Sequence, residues 1–347
     1  MNDQPRSTRA LLALAGAVPS GPTLDIGSHL GAVAQAIGCA YVHTDLVACA
    51  SARQAGVSDV MHFDMLPRGT YQTIFFDARE YDPSHAAETV AAAARQLAPG
   101  GALVTTARQS DVAACFANVS EQGEALVARD PVVSPPAPPW GEYTAEFGGQ
   151  AYRIQTAPGL FSPRGLDAGT ALMLAQVEAG EGARFLDLGC GAGVVSRIAT
   201  EAWHCQVTAV DVNARALRMT ALNAPQAEVI ASNGFAGLAG RQFDMIASNP
   251  PYHTDFGVAK AFIEGAHAHL APGGVLYLVI KRADWYVQKV RSVFGGCRIV
   301  EEQDYTVLIT EKREPKPKKA EAAQPATTKK HARRMAAAAG TKKKRPH

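Results

Sequence analysis

The 347-residue chain predicts an α/β fold of two tandem domains followed by a disordered basic tail. Three observations carry this. Strand and helix patterns alternate through the second half, which argues for a parallel sheet covered on both faces. A set of short motifs occurs twice in the same order, which argues for a duplicated domain. A proline-rich stretch separates the two sets.

The first domain is expected over residues 1–130. Its opening, MNDQPRSTRALLALAGAVP, sets Arg6 and Arg9 before a short apolar stretch. Pro19 and a strand-like TLDIG follow, which fits an amphipathic first helix better than a secretory signal. Residues 131–141 contain Pro131, Pro135, Pro136, Pro138 and Pro139. Proline at that density favours extended chain and marks a linker. The second domain is expected over 142–312. YTAEFGGQAYRIQT alternates around Gly148-Gly149 as a hairpin would. Strands are then predicted at 184–188, 206–210, 228–231, 244–247 and 275–279, with a closing antiparallel pair at 298–302 and 306–310. Helices are predicted at 194–202, 214–222, 258–270 and 285–293.

Charge sets the last 35 or so residues apart. Residues 312–347 hold 13 Lys/Arg against Glu314 and Glu321, whereas the other 311 residues hold 21 against 30 Asp/Glu. The segment 313–347 is too poor in large apolar side chains to pack a core, and its basic blocks suit a polyanion. Six cysteines, Cys39, Cys49, Cys115, Cys190, Cys205 and Cys297, form no CxxC pair and no His/Cys cluster. They are read as reduced thiols of a cytoplasmic protein without a bound metal. No apolar run of about 18 residues occurs, so no membrane span is expected.

The duplication is visible residue by residue. TLDIGSHLG at 23–31 answers FLDLGCGAG at 185–193. Asp45 follows a short strand, as Asp211 does, and TIFFD at 73–77 sits where 244–249 sits. LAPGGALV at 97–104 matches LAPGGVLYLV at 270–279. The first copy carries Ser28 and His29 where the second has Cys190 and Gly191, so it is expected to be degenerate.

The chemistry concentrates in the second copy. Asp187, Gly189, Gly191 and Gly193 follow an apolar strand and open a helix. Glycines there let the backbone turn tightly and approach a ligand. Dinucleotide-binding folds use similar loops, but Asp187 stands where a carboxylate receives an ammonium group, which points to S-adenosylmethionine (SAM). Asp211 ends the next strand and can accept hydrogen bonds from ribose hydroxyls, or cap the following helix. Asn233, after the third strand, can read an adenine ring. Asn249-Pro250-Pro251-Tyr252 follows the fourth strand. An exocyclic amine conjugated to a ring or carbonyl is a poor nucleophile; two fixed acceptors, the Asn249 side-chain oxygen and the Pro250 carbonyl, orient it and favour its pyramidal form. The prolines stiffen that loop, and Tyr252 offers a face for a planar substrate to stack on. A base is optional, since the amine can lose its proton after transfer, so His253 is read as a substrate contact or as unremarkable. The first copy has Asp77-Ala-Arg-Glu at this place, with no stiff pair of acceptors.

DLGCGAG, Asp211 and NPPY together resemble class I SAM-dependent methyltransferases acting on amino groups. Residues 158–169, PGLFSPRGLDAG, resemble a stretch of the bacterial rRNA guanine-N2 methyltransferases, the RsmC/RlmG-like group. The resemblance covers roughly 20–312 and is strongest over 158–280. It implies two Rossmann-like domains with seven-stranded mixed sheets, the first inactive. It also implies that Phe161 and Asp167 line the cofactor and substrate cleft; from the residues alone Phe161 reads as core and Asp167 as a helix cap. The sequence departs from the group at Tyr252, where many members have Phe, and in the basic tail. The expected activity is methylation of guanine N2 in 16S rRNA by a monomer, with rRNA or a ribosomal subunit as partner and the tail on RNA phosphates. Alternatives are a protein-glutamine or nucleic-acid adenine methyltransferase, or a non-enzymatic RNA-binding assembly factor.

Overall fold

A computed structural model describes residues 4–17, 20–64, 66–132, 141–250, 256–281 and 283–313. Residues 133–140 of the proline-rich stretch and the tail beyond Arg313 lie outside these residues, whereas Pro131 and Gly141, expected in the linker, belong to strands. The first sheet holds β1 (Thr23–Ile26), β2 (Ala40–His43), β3 (Val60–His62), β4 (Tyr71–Phe76), β5 (Leu97–Thr105), β6 (Phe116–Gln122) and β7 (Ala125–Pro131). A hairpin follows, β8 (Gly141–Phe147) and β9 (Gln150–Thr156). The second sheet holds β10 (Arg184–Leu188), β11 (Gln206–Asp211), β12 (Glu228–Ala231), β13 (Phe243–Ser248), β14 (Leu270–Ile280), β15 (Arg298–Glu302) and β16 (Tyr305–Glu311).

The two seven-stranded sheets have one topology. The orders are β3-β2-β1-β4-β5-β7-β6 and β12-β11-β10-β13-β14-β16-β15. Six strands of each sheet run one way, and β7 and β16 run against them, between β5 and β6 and between β14 and β15. The repeated LAPGG, read above as leading into a strand, starts β5 and β14 at a register irregularity in both copies. Central parallel strands are apolar on both sides because helices cover both faces. Phe185, Ile198, Met219 and Ile154 of the hairpin pack on one face of the second sheet. Ile246, Ile263, Leu278 and Val290 pack on the other. The amphipathic first helix, Arg6–Leu14, seats Leu11 against Val33, Phe75 and Val104 of the first domain.

Side-chain caps start the helices that carry the site. Asp45, Asp82, Asp167 and Asn213 accept backbone N–H groups at Leu46–Gln54, Pro83–Gln96, Ala168–Leu174 and Ala214–Asn223, each cap worth about 1 kcal/mol. This corrects two readings of the sequence. Asn213, not Asp211, caps the helix after β11. Asp45 is therefore the counterpart of Asn213, and the residue that ends β2 as Asp211 ends β11 is His43.

These two caps also join the domains. Asp45 and Asn213 form an antiparallel bridge. The Leu46 N–H donates to the Val212 carbonyl (2.9 Å) and the Ala214 N–H to the Thr44 carbonyl (2.8 Å), a reciprocal pair that relates the two copies about a local twofold. Arg215, 3% exposed, then crosses the junction. It pairs with Glu88 and donates to the carbonyls of Pro158 and Asp64, both at 2.9 Å. Breaking a buried pair leaves one uncompensated charge, which costs about 3–5 kcal/mol. Arg215→Met is thus expected to lower the thermal unfolding midpoint by several degrees, and Glu88→Leu added to it should recover part of that loss. Equal midpoints for wild type and Arg215→Met would remove this pair from the account of stability.

Candidate active site

A cleft of about 530 Å³ opens at the C-terminal ends of β10, β11, β12 and β13. Asp187, Gly189, Gly191, Asp211, Asn233, Asn249, Pro250, Phe161 and Asp167 all line it. Pro251, Tyr252 and His253 lie outside the described residues. Gly193 does not line the cleft. A Cβ there would sit 2.7 Å from the Thr220 Cα, and φ is +81°. Glycine there allows close packing of helix Val194–Glu201 against helix Ala214–Asn223.

The glycine loop is held from below by carboxylates. Asp187 is 3% exposed, and its Oδ2 accepts the Ser196 N–H (3.0 Å) and hydroxyl (2.6 Å). Both bonds go to Oδ2, so Oδ1 is the oxygen an ammonium group would use. Burial pushes Asp187 up to about 6. Asp211 accepts the N–H groups of Gly191 (3.1 Å) and Asn213 (2.9 Å) on its two oxygens, and burial raises it as well. A carboxylate oxygen takes more than one donor, so either can still receive a hydroxyl.

The loop differs between the copies in what fills the space above it. A Cβ at Gly189 or Gly191 would meet no atom within 4 Å. At the counterpart Gly27 it would lie 2.6 Å from the Tyr81 ring. Asp25 also spends its carboxylate locally, accepting from the Ser28 hydroxyl (2.6 Å) and N–H (3.3 Å) and from the Ala34 N–H (2.8 Å). Asp77, at the place of Asn249, accepts from Thr8 (2.8 Å) and Thr106 (3.1 Å). Ser28, Tyr81 and Thr8 together close the first cleft to a cofactor of this shape.

In the second copy Asn249 is clamped. Its amide nitrogen donates to Asp167 Oδ2 (3.0 Å) and to Thr170 Oγ1 (2.8 Å). A carboxylate only accepts, so the amide end facing Asp167 must be the NH₂. The acceptor this side chain can offer a substrate is therefore Oδ1. Asp167 also takes the Tyr305 hydroxyl on Oδ1 (2.8 Å) and caps its helix through the Thr170 N–H (3.0 Å). Gly169 lets this happen, since a Cβ there would collide with the Tyr305 ring and lie 2.7 Å from Val279. Asp167 is thus both the cap read from the residues and a clamp that no spacing announced. Phe161 is 56% exposed on the cleft wall, not core.

Several lining residues were not foreseen. Tyr143 reaches in from the hairpin, Met173 and Thr170 from helix Ala168–Leu174, and Phe262 from helix Phe256–His269. Asp45 and Val47 come from the other domain. No local signal marks them as lining residues; Asp45 was singled out only as an acid following a short strand. Four carboxylates, Asp45, Asp167, Asp187 and Asp211, line the cleft, and among its described residues there is no Lys or Arg. That field favours a cationic ligand over the pyrophosphate of a dinucleotide.

Comparison with known proteins agrees with this geometry. Residues 151–309 match the family model described as methyltransferase small domain. A Klebsiella pneumoniae protein described as ribosomal RNA small subunit methyltransferase C is 39% identical over 170 residues, 46% of this chain and 48% of that one. Escherichia coli relatives of the same description are 37% identical over 170 residues, with the same shares covered. The chain thus spans about half the length of the curated relatives it matches. The fold agrees further: a T. thermophilus 16S rRNA N2 methyltransferase (RsmC), solved in complex with AdoMet and guanosine, superposes with a TM-score of 0.74 at 22% identity. That match covers 88% of this chain and 92% of the other. Over residues 151–309, then, the chain is similar to the methyltransferase small domain, and over 170 residues to proteins described as ribosomal RNA small subunit methyltransferase C.

Proposed function

We propose that this chain is a SAM-dependent methyltransferase that modifies the exocyclic N2 of a guanine in 16S rRNA, with residues 142–312 carrying the reaction. The observation that supports it most is the clamped Asn249 at the mouth of an acidic, glycine-floored cleft. SAM fits the residues present: its ammonium group to Asp187, its ribose to Asp211 and its adenine beside Asn233. The cofactor supplies an electrophilic methyl group. The chain's own part is to hold the acceptor. Asp167 and Thr170 fix the Asn249 amide, so Oδ1 is set before the amine arrives and no reorganisation is needed at the reacting stage. The Pro250 carbonyl is the second acceptor, and the proton leaves after transfer. Guanine and 16S rRNA follow from the relatives and from the 158–169 segment. In a strain lacking this protein, mass spectrometry of 16S rRNA should show one guanine without its N2-methyl group. An unchanged methylation pattern would refute the substrate assignment, whereas the purified protein's binding of SAM would still test the cofactor.

Acidity bears on the cofactor directly. Asp187 is held at about 6, above the usual carboxylate value, so it is mostly protonated at pH 5 and cannot pair with an ammonium group. SAM affinity is therefore expected to fall as pH drops from 7 to 5, approaching about tenfold per unit below pH 6. Asp187→Asn should bind weakly and show a flatter profile. Calorimetry giving one Kd at both pH values in the wild type would contradict the ammonium role.

The tail belongs to the same reading. Lys316-Pro-Lys318-Lys319, Lys329-Lys330-His-Ala-Arg333-Arg334 and 342–345 form three basic blocks spaced by Pro and Ala. Such an arm binds phosphates by releasing counterions, without sequence choice. Deleting 313–347 should weaken rRNA binding and flatten its salt dependence while the methylated position stays the same. Equal affinity and an equal salt slope in the truncated protein would leave the arm no RNA role.

A further inference from the structure

The two copies differ in one more place, among the side chains behind the fourth strand of each sheet. Helix Arg6–Leu14 precedes β1 as helix Ala168–Leu174 precedes β10. Their N-caps are Pro5 and Asp167, so Thr8 and Thr170, each three residues on, are counterparts. Both threonines meet the residue that follows the fourth strand. The Thr8 hydroxyl donates to Asp77 (2.8 Å), and the Asn249 amide donates to the Thr170 hydroxyl oxygen (2.8 Å). The first copy thus keeps the contact with the direction of the bond reversed. It lacks the two residues that stand behind Asn249. Pro5 takes the place of Asp167. Ala125 takes the place of Tyr305, since each opens its strand after a two-residue turn, paired with Gln122 and Glu302 respectively.

Asp167 needs a hold at both oxygens to keep one orientation. Its Oδ2 accepts the Asn249 amide (3.0 Å) and the Thr170 N–H (3.0 Å). Rotation about the last bond of an Asp side chain is broad and roughly twofold, so bonds at one oxygen do not set the carboxylate plane. The Tyr305 hydroxyl donates to Oδ1 at 2.8 Å, and a bond to an ionised acceptor is stronger than one between neutral groups. The ring carrying that hydroxyl is itself seated. A Cβ at residue 169 would lie 2.8 Å from Tyr305 Cε1, so only glycine leaves the ring its place. The Lys281 Nζ stands 4.6 Å from the ring centroid, a favourable cation–π distance. The bond to Asp167 also raises the phenol above its ordinary value, so the hydroxyl stays a donor at neutral pH.

We propose that Tyr305 is a positioning residue of the methyl-transfer site: it holds Asp167 by Oδ1, Asp167 holds the Asn249 amide by Oδ2, and the Asn249 oxygen is thereby aimed at the substrate amine. The proposal rests on the reading of Asn249 given above. Tyr305 is not among the described residues that line the cleft, so it acts through Asp167. The first copy, with Pro5 and Ala125 in these places, has neither link of the relay.

The test is Tyr305→Phe in the full-length protein, which removes one oxygen and keeps the ring. Single-turnover methylation of 16S rRNA is expected to slow on the order of tenfold, with S-adenosylhomocysteine affinity unchanged. In an Asn249→Ala background the same substitution should slow the reaction no further, because groups that act as a unit are not additive. A merely structural role would slow both backgrounds by one factor. A second readout does not depend on activity. Solvent exchange of the Asn249 side-chain amide protons, followed by NMR and assigned by their absence in Asn249→Ala, should be faster in Tyr305→Phe. An unchanged rate of methylation, an equal loss in both backgrounds, or unchanged amide exchange overturns the proposal. Should the wild type methylate no guanine of 16S rRNA, the functional reading fails, and amide exchange by itself decides whether Tyr305 positions Asn249.

Discussion

Replacing Asn249 by alanine is expected to lower kcat on the order of 100-fold or more while leaving SAM affinity within a few-fold. The acceptor it removes matters most when the amine becomes pyramidal and its N–H groups sharpen as donors. Losing one positioned hydrogen-bonding group of that kind costs about 10²–10³ in kcat. The side chain itself is anchored by Asp167 and Thr170, neither of which belongs to the glycine loop. Its loss should leave the glycine loop as it is. Single-turnover methylation of rRNA, with SAM binding measured in parallel, separates the two effects. Near-normal turnover in Asn249→Ala would place the reaction elsewhere.

Gly191→Trp is expected to remove SAM binding altogether, a loss beyond about 100-fold. The space over Gly191 is open to 4 Å and belongs to the cleft, so an indole placed there takes the room a ligand needs. Its φ of +54° adds strain of about 1–2 kcal/mol for any side chain. The N–H bond to Asp211 is a backbone bond and is kept. Because the first domain's counterpart space holds Tyr81 and its Asp25 is spent, no second site should take over. Calorimetry is expected to show one SAM per wild-type chain and none in the variant, with far-ultraviolet circular dichroism unchanged. Residual stoichiometric binding in Gly191→Trp would mean that another part of the chain holds the cofactor.

What local pattern can encode was legible. The two α/β domains, the hairpin at Gly148-Gly149, the glycine loop and the position of Asn249 all follow from periodicity, turn chemistry and motif order, which depend on a few neighbouring residues. Sequence also showed that the first copy lacks the catalytic pair. What it could not show is how the copies differ physically. Tyr81 over Gly27, Thr8 on Asp77 and Ser28 on Asp25 are contacts set by packing, and only the last is close in the chain. The same holds within the second domain. Asp167 and Asn249 meet because helix Ala168–Leu174 starts where β13 ends, and Tyr305 arrives from β16, a strand that runs the other way. Asp45 reaches the cleft only because two like loops pair across the junction. Gly193 has the spacing of a ligand-binding glycine, and only the fold shows that it also lies against Thr220 of a neighbouring helix. The sequence by itself determined the elements, their order and the residues able to do chemistry. Tertiary structure decided which of them share a cleft, because parallel sheets gather the ends of strands far apart in the chain, and no local period records that.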